Sequence, residues 1–401
     1  MRNRLSLIYY LFVFAILLQI TVSLPSEKAK PNPSTGCVYK HLPDGMMTDK
    51  LTKHTILIDD PRLKSVVTRH FYIRVPGTNQ DPYKRDSNHE RALTFYFHGY
   101  QGNALDVATK YEYNLMGRQE DMIMIYPEGL SDFVTDEGVE LSDLQGWNAV
   151  GSSDSDDPKC IAASGFSQCG FKSCKELNIC HSCAFASCNN DTLFVEEILD
   201  WAISHLCIDQ SRIVATGLSN GGLMTYELIT KRPDPFQAFI PIYGVPMTGF
   251  LNFSNPEIFG KPLLHIHGLN DEWIPFNGSL SNFNVSFVPA TDVVEEYARV
   301  QGCSFNREIW STPFDTINSF QCIEYPNCQT GAKVVLCTYS GGHTYPPMIE
   351  ETTFYFLNQI SEQPWRKETK DFASFSDTFA ASYKTDLATV LFFQMLFIFC
   401  M

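Results

Sequence analysis

The sequence predicts an α/β fold in which helices flank a mostly parallel central sheet. Short apolar runs stop at turns rich in glycine and polar residues, a pattern typical of buried parallel strands. Helical patterns separate some of these runs, notably 193–205 and 291–300. Strands that alternate with helices in this way place ligand sites at the carboxyl ends of the strands. The expected strands are 93–97, 122–126, 212–216, 263–267 and 334–339.

The composition indicates one large domain. The chain has 401 residues, of which 44% are hydrophobic, so it can bury a sizeable core. We assign this domain to residues 24–365. The net charge of −15 argues against a surface that binds nucleic acid or anionic lipid.

Residues 1–23 are expected to be a signal peptide. Arg2 and Arg4 precede an apolar run over 5–20, and the small side chain of Ser23 suits cleavage after that position. The alternative is an uncleaved membrane anchor. The shortness of the run and the ordinary polar sequence after it favour cleavage.

The C-terminal segment 387–401 is almost entirely apolar, but it is shorter than the roughly 20 residues that span a bilayer. With small residues upstream, it resembles a GPI-attachment signal, and the polar segment 366–386 suits a stalk. The alternative is a true tail anchor. The attachment residue stays open: 376–378 leaves a spacer of the usual length, whereas the smaller residues at 380–382 leave too short a spacer. The expected location is extracellular, at the cell surface or secreted.

The cysteine content fits an exported protein. Thirteen cysteines become twelve without Cys400, an even number that suits disulfides in an oxidising compartment. Six of them lie in 131–190, which lacks periodicity and is predicted to be a disulfide-rich insertion or lid near the site. Cys180 and Cys183 have a spacing that zinc sites also use, but export favours disulfides. The chain also carries N-glycosylation sequons at Asn190, Asn252, Asn277 and Asn284.

The sequence predicts the disulfide pairings only in part. Cys207 is predicted to tie the insertion to the helix before the 212–216 strand. A further four cysteines are expected to form two bridges, with three pairings open. These are Cys303, Cys322, Cys328 and Cys337.

The pentapeptide 217–221, with sequence GLSNG, lies between an apolar strand and a helical run. This is the context of the nucleophile elbow, a tight turn that exposes the Ser219 hydroxyl and aims the next backbone N–H at a developing oxyanion. The competing interpretation of Ser219 is an ordinary helix N-cap. The strand–turn–helix context favours the nucleophile.

A serine nucleophile needs a base, and the base needs an orienting acid. Asp271 follows the 263–267 strand, and His343 follows the 334–339 strand. The chain order of serine, acid and histidine is that of the α/β-hydrolase fold, which we therefore predict.

Each of these two residues has competitors. Glu272 and Asp292 compete with Asp271 for the acid. His265 and His267 compete with His343 for the role of base. They lie two residues apart on one strand and so point to the same face of it, where we expect packing or polar support.

Backbone donors are expected to form the oxyanion hole. One is the N–H of Asn220, and the other is the N–H of Tyr100 or Gln101, with the register open. His98 is expected to brace this loop rather than to transfer a proton. Trp147 is either an aromatic wall for the substrate or a core tryptophan.

These motifs carry a family resemblance over roughly residues 55–350. The segments 216–222, 267–276 and 341–346 resemble the extracellular esterases grouped as polyhydroxybutyrate depolymerases, feruloyl esterases and related carbohydrate esterases. The stretches around His98 and Trp147 resemble them too. The resemblance implies Ser219 as nucleophile, Asp271 as acid and His343 as base, and its spacing favours Asp271 over its competitors. The cysteine-rich insertion and Tyr345, where tryptophan is usual, depart from the pattern, so substrate specificity does not carry over.

The function expected from this resemblance is hydrolysis of carboxylic esters through an acyl-enzyme, with no metal or organic cofactor. Feruloyl or acetyl esters of polysaccharides and polyhydroxyalkanoate-type polyesters are the expected substrates. The expected partners include no nucleic acid, and no membrane except through the GPI anchor. Oligomeric state has no signature in the sequence. The alternatives are a serine peptidase of the same fold and a catalytically silent surface recognition protein.

Overall fold

The computed structural model describes residues 31–39, 42–61, 65–76, 90–110, 122–135, 138–154, 171–175, 182–183, 186–282, 285–312, 320–345, 348–361 and 365. The predicted signal peptide, stalk and C-terminal apolar segment lie outside these residues. Cys160, Cys169 and Cys180 of the insertion do so as well.

Strands and helices alternate through most of this part of the chain. The strands are β1 Leu51–Asp60, β2 Ser65–Arg74, β3 Arg91–Phe97, β4 Met122–Pro127, β5 Phe133–Val134, β6 Glu140–Leu141, β7 Ser153–Asp154, β8 Ser182–Cys183, β9 Ile208–Leu218, β10 Ala238–Ile242, β11 Leu263–Gly268, β12 Glu308–Ile309, β13 Gln321–Tyr325 and β14 Val334–Tyr339. The α-helices are α1 Ala104–Lys110, α2 Lys172–Lys175, α3 Asp191–His205, α4 Asn220–Lys231, α5 Ala290–Val300 and α6 Ile349–Ile360. Two 3₁₀ turns lie at Thr35–Val38 and Pro256–Ile258.

The main sheet has the strand order β1-β2-β4-β3-β9-β10-β11-β14-β13-β12. Its six central strands, β4 to β14 in that order, are all parallel, and antiparallel strands extend it at both ends. A mostly parallel sheet flanked by helices confirms the predicted α/β-hydrolase fold. All the strands expected from apolar runs are present, and so are both expected helices.

The sheet is buried on both faces, which explains why its central strands are continuous apolar runs. On β9, Ile213 and Ala215 pack into one core cluster, whereas Val214 between them packs into the other. On β10, Phe239 and Ile240 divide in the same way. Because side chains alternate along a strand, each central strand contributes to the core on both sides of the sheet.

The antiparallel margins were not predicted from the sequence. β1 and β2 pair over ten residues as a hairpin that is only partly buried, and β10 and β13 also lacked a prediction. The described parts of the insertion form two short antiparallel pairs, β5 with β6 and β7 with β8. None of the helices within the described ranges has the length and apolar character that crossing a bilayer requires.

The disulfides correct one prediction and complete another. Cys207 pairs with Cys37, 170 residues away, and not with the insertion. The backbone explains this partner, since the amide of Ser34 donates to the carbonyl of Ile208 and brings the two segments together. The expected pair of bridges near β14 is confirmed, with the connectivity that the sequence left open. They are Cys303–Cys328 and Cys322–Cys337.

Candidate active site

Ser219 lies between the end of β9 and the start of α4, with φ 58° and ψ −122°. This backbone conformation is rare for a residue with a side chain and is typical of a tight, functional turn. The neighbouring glycines make the turn possible. A Cβ at Gly217 would lie 2.5 Å from the carbonyl oxygen of Gly221, and a Cβ at Gly221 would overlap the carbonyl oxygen of Phe97.

The structure brings Ser219, His343 and Asp271 together. The imidazole Nε2 of His343 lies 2.8 Å from the Ser219 hydroxyl oxygen, and its Nδ1 lies 2.7 Å from Oδ2 of Asp271. These are hydrogen-bonding distances. The ends of β9, β11 and β14 supply the three residues, because the carboxyl ends of parallel strands meet at one edge of the sheet.

The loop after β11 holds the Asp271 carboxylate in place. The side chain is fully buried, and its Oδ1 accepts hydrogen bonds from the backbone N–H groups of Trp273 at 2.9 Å and Ile274 at 2.8 Å. Its Oδ2 is directed at His343. The competing acids Glu272 and Asp292 are both exposed, whereas the buried Asp271 is the carboxylate that contacts His343.

Two tyrosines support His343. The hydroxyl of Tyr339 donates to the carbonyl of Thr344 at 2.7 Å and lies 3.0 Å from that of Gly342, so it grips the loop on both sides of the histidine. Burial raises the pKa of Tyr339, which keeps this hydroxyl a donor. The ring of Tyr243 meets the imidazole edge-on, with centroids 4.7 Å apart. Nothing in the sequence singled out either tyrosine: the Tyr243 contact joins segments that are distant in the chain, whereas Tyr339 contacts the loop that directly follows it.

His265 and His267 lie in the core behind Asp271, not against Ser219. Both are fully buried on β11. Burial lowers the pKa of His267 to about 4 and that of His265 well below its usual value, so both rings are neutral near pH 7. Their position fits the expected supporting role.

His98 also lies in the core. Its Nδ1 donates to the carbonyl of Gly99 at 2.7 Å, and its Nε2 accepts the N–H of Gly129 at 2.8 Å. Burial lowers the pKa of His98 to about 4, so the neutral ring can both donate and accept. It ties the turn after β3 to the turn after β4, as expected of a bracing residue.

The structure narrows the candidates for the oxyanion donors. Gln101 has φ 60°, and its N–H donates to the carbonyl of Gln145 at 2.8 Å. This corrects the Gln101 alternative, since an amide engaged with a carbonyl is not available to an oxyanion. Tyr100 is the remaining candidate in that loop. Asn220 is the first residue of α4, where backbone N–H groups have no partner within the helix.

Trp147 is a core tryptophan, and the alternative of an aromatic wall for the substrate is wrong. It is 0% exposed, and its ring meets Phe97 at right angles. Its Nε1 donates to the carbonyl of His98 at 2.8 Å. The Asn220 side chain accepts the Trp147 N–H at 2.6 Å and donates to its carbonyl at 3.2 Å. Trp147 therefore links the elbow to the turn after β3.

One buried and one half-buried carboxylate near the turn after β3 escaped the sequence analysis. Asp191 pairs with Arg69 at 2.7 Å and accepts the N–H of Asn148 at 2.7 Å. Glu128 accepts from the N–H of Ala104 and the side chain of Gln145, and burial raises its pKa. The sequence could have indicated Glu128, because it directly follows the β4 strand. Asp191 had none beyond its place in a sequon.

The described residues contain no group of three or more His, Cys, Asp or Glu side chains arranged to hold a metal ion. Asp271, His343 and Ser219 instead form a chain of hydrogen bonds that can move a proton away from a hydroxyl. Such a chain can activate Ser219 for attack on an electrophilic carbon.

Comparison with known proteins shows which proteins this chain resembles. Residues 194–253, which include β9, the elbow and α4, match the prolyl oligopeptidase family. The probable feruloyl esterase C of Aspergillus niger is 28% identical over 158 residues, which are 39% of this chain and 52% of that protein. Feruloyl esterase B of Piromyces equi is 28% identical over 164 residues, which are 38% of this chain and 28% of that protein.

The matched part thus spans about half the length of the Aspergillus relative. Among solved structures, the acetyl xylan esterase from Aspergillus awamori covers 76% of this chain and 98% of its own, at 15% identity and a TM-score of 0.43. The sheet order and the elbow establish the fold without this low score. The chain therefore has the α/β-hydrolase fold, and over about two fifths of its length it is similar in sequence to proteins named feruloyl esterase.

Proposed function

We propose that the chain is a serine hydrolase of carboxylic esters. The observation that carries this proposal is the imidazole of His343, which lies within hydrogen-bonding distance of both Ser219 and Asp271. Relatives named feruloyl esterase support an ester as the substrate.

In the proposed reaction, His343 takes the hydroxyl proton of Ser219 as the oxygen attacks the ester carbonyl carbon. Asp271 keeps the proton on Nδ1 and stabilises the imidazolium that forms. The N–H groups of Asn220 and Tyr100 donate to the oxyanion, where one such donor is typically worth about 2.7–4 kcal/mol. His343 then protonates the leaving alcohol, and water attacks the acyl-enzyme with the same residue as base.

The substrate we propose is an acyl group esterified to a polysaccharide. Feruloyl and acetyl groups are the acyl parts that the relatives' names indicate, since one relative is a bifunctional acetylxylan esterase/xylanase of Neocallimastix patriciarum. Polyhydroxyalkanoate-type polyesters are the second candidate substrates, because only the motif resemblance supports them. A panel of feruloyl, acetyl and polyester substrates, assayed with the purified protein, separates them by kcat/KM.

The nucleophile is tested with a fluorophosphonate probe on wild type, Ser219→Ala and Ser65→Ala. Ser65 is an exposed serine at the start of β2 and serves as the control. We expect the probe to label wild type and Ser65→Ala but not Ser219→Ala, and only the labelled proteins to cleave an aryl acetate. A Ser219→Ala protein with full activity would refute the assignment, and an unlabelled wild type would favour the silent recognition protein.

A serine peptidase is the second candidate, because residues 194–253 match the prolyl oligopeptidase family. This segment contains the nucleophile and its helix, which esterases and peptidases of this fold share. The same Ser219 chemistry can cleave an amide. A peptide amide added to the ester panel decides between them, and faster turnover of the amide would overturn the esterase proposal.

We also propose that the protein is exported and held at the cell surface by a GPI anchor, with residues 24–365 as the catalytic domain. The disulfides fit an oxidising compartment. The test is expression of the full chain in a eukaryotic cell, followed by phosphatidylinositol-specific phospholipase C. Release of the protein into the medium is the expected result, and retention in the membrane would favour the tail anchor.

A further inference from the structure

A chain of buried hydrogen bonds runs behind Asp271. The hydroxyl of Tyr226 lies 3.0 Å from Nδ1 of His265, and Nε2 of His265 lies 3.0 Å from Nδ1 of His267. Nε2 of His267 in turn lies 2.8 Å from the carbonyl oxygen of Ile274. All three side chains are completely buried. The catalytic scheme proposed above uses none of them.

The direction of this chain follows from its last member. A carbonyl oxygen can only accept, so the hydrogen of His267 is on Nε2 and its Nδ1 is an acceptor. His265 must therefore donate through Nε2 and accept through Nδ1, where the Tyr226 hydroxyl is the donor. Burial lowers the pKa of both histidines, so the neutral rings that this pattern requires are the stable ones. Only one set of tautomers satisfies every contact.

The chain ends on the loop that holds the acid. Ile274 accepts from His267 through its carbonyl, and its own N–H donates to Oδ1 of Asp271. Nε2 of His267 also lies 3.6 Å from Oδ2 of Asp271, the oxygen that contacts His343. The His267 N–H thus holds the loop in place through Ile274. The partial positive charge of this N–H is also directed towards the Asp271 carboxylate.

The chain begins on the helix of the nucleophile. Tyr226 belongs to α4, the helix that starts directly after Ser219. The contacts therefore close a ring through the protein: from Ser219 to His343 and Asp271, through the acid loop to His267 and His265, and back through Tyr226 and α4. A displacement of the acid loop relative to the elbow would break a buried hydrogen bond in this ring.

We propose that Tyr226, His265 and His267 are positioning residues that hold the Asp271 loop in register with the Ser219 elbow. This inference rests on the proposed function of Ser219, His343 and Asp271. Its alternative is a polar network that contributes to folding alone. Three buried polar side chains are costly unless each is satisfied, whereas apolar residues would fill the same space without that requirement.

The central test is Tyr226→Phe, which removes one hydroxyl and keeps the ring. Without this donor, Nδ1 of His265 is a buried acceptor that has lost its partner, and the two imidazoles are no longer tied to α4, so they can shift and carry the Ile274 carbonyl with them. We expect kcat to fall about tenfold, since a misplacement of order 1 Å can cost up to about a hundredfold. We expect KM to change less than about twofold, because no substrate contact is lost.

Tyr297→Phe is the matched control. Tyr297 is also completely buried and its hydroxyl donates to the carbonyl of Lys261 at 2.9 Å, but it lies on α5 and is not a member of the hydrogen-bond chain that ends at Ile274. It reports what the loss of one buried tyrosine hydrogen bond does to folding. We expect it to lower the unfolding midpoint about as much as Tyr226→Phe and to leave kcat within about twofold of wild type.

A second pair of variants covers the case in which Tyr226→Phe folds poorly. His267→Gln keeps an N–H that can reach Ile274, whereas His267→Leu does not. We expect the glutamine variant to recover most of the kcat that the leucine variant loses. Full kcat in His267→Leu, or a kcat in Tyr226→Phe no lower than in Tyr297→Phe, would overturn the positioning role.

The rate of fluorophosphonate labelling separates this result from a failure of the proposed function. A wild-type protein that neither labels nor cleaves esters refutes the hydrolase assignment, and the positioning role falls with it. An active wild type with labelling rates equal in all variants refutes the positioning role alone. Slower labelling in Tyr226→Phe and His267→Leu, with wild-type rates in Tyr297→Phe, supports it.

Discussion

The imidazoles of His98 and His343 occupy different surroundings close to the same elbow. His98 is completely buried between two backbone groups, whereas the His343 side chain is 18% exposed and bridges a hydroxyl and a carboxylate. A ring whose hydrogen bonds are both taken by the backbone braces the structure. A ring between Ser219 and Asp271 can accept a proton and return it. The same residue type therefore has two roles, and the neighbouring groups decide which.

At this scale, Asn220→Ala is expected to destabilise the protein. The buried amide pairs with both the N–H and the carbonyl of Trp147, and alanine leaves the N–H without this partner and the carbonyl with the Ser152 hydroxyl alone. Each buried group left unsatisfied costs about 1–3 kcal/mol. The measurement is the free energy of unfolding in urea. Asn282→Ala, at an exposed asparagine, is the control and should change it by less than about 0.5 kcal/mol. Equal effects in the two variants would contradict the bracing role of Asn220.

At the scale of elements, the N-terminal 3₁₀ turn is attached to the body of the molecule where α3 ends and β9 begins. Cys37 pairs with Cys207, and the hydroxyl of Ser34 donates to the carbonyl of Leu206 at 2.6 Å. The segment before β1 therefore docks on the same α3–β9 unit that leads to Ser219. The elbow is therefore supported on both sides in the chain: by the α3–β9 unit before it, which carries this attachment, and by α4 after it.

The lengths of the closed loops predict unequal contributions from two disulfides. Cys37–Cys207 closes a loop with a sequence separation of 170, and Cys322–Cys337 one of 15. The loss of unfolded-chain entropy is about 5 kcal/mol for the long loop and about 3 kcal/mol for the short one. Double serine variants of each pair, compared by urea unfolding, should show the larger loss for Cys37 and Cys207. A larger loss for Cys322 and Cys337 would contradict this ranking.

At the scale of the whole molecule, the buried histidines make stability depend on pH. The pKa values of His98 and His267 are about 4 in the folded protein, and that of His265 is also lowered. The unfolded chain has histidines near their usual value of about 6.5, so it binds more protons than the folded protein between about pH 6.5 and pH 4. Stability from these rings is therefore present above the unfolded value and is lost as the pH falls.

Between about pH 7.5 and pH 5.5, His98 and His267 should each lower the free energy of unfolding by about 1.3 kcal/mol, and His265 should change it in the same direction. Urea unfolding at the two values measures the sum, which is at least about 2.6 kcal/mol. Between about pH 7.5 and pH 8.5 these rings stay neutral in both states, so their contribution should not change, which serves as the control. Equal or greater stability at the lower pH would contradict the buried neutral rings.

At the same scale, the exposure of each sequon predicts whether its asparagine is glycosylated. Asn252 and Asn277 are exposed, and each accepts the N–H of the serine two residues later. Asn190 caps α3 through Leu193, and the next residue, Asp191, is buried in an ion pair. A glycan is bulky and needs open surface. Mass spectrometry of protein from a eukaryotic secretory host should find glycans at Asn252 and Asn277 but not at Asn190. A glycan at Asn190 in place of those two would contradict this ranking.

Much of the candidate site was visible in the sequence because its signals are local. The elbow is a pentapeptide between a strand and a helix, and Asp271 and His343 each follow a strand within a few residues. Contacts between segments that are distant in the chain could not be predicted in this way. The partner of Cys207 was misassigned, and the choice between Tyr100 and Gln101 needed the hydrogen bond from Gln101 to Gln145.

The order of apolar runs, turns and polar residues by itself determined the parallel sheet, the elbow and the residues expected at its edge. Only the tertiary structure decided which side chains support them: Trp147 in the core, Tyr243 against the His343 ring, and the Tyr226–His265–His267 chain behind Asp271. The physical reason is that a strand's period and a turn's glycines act within a few residues. A buried hydrogen bond instead joins groups that are distant in the chain, and their approach depends on how all the strands pack together.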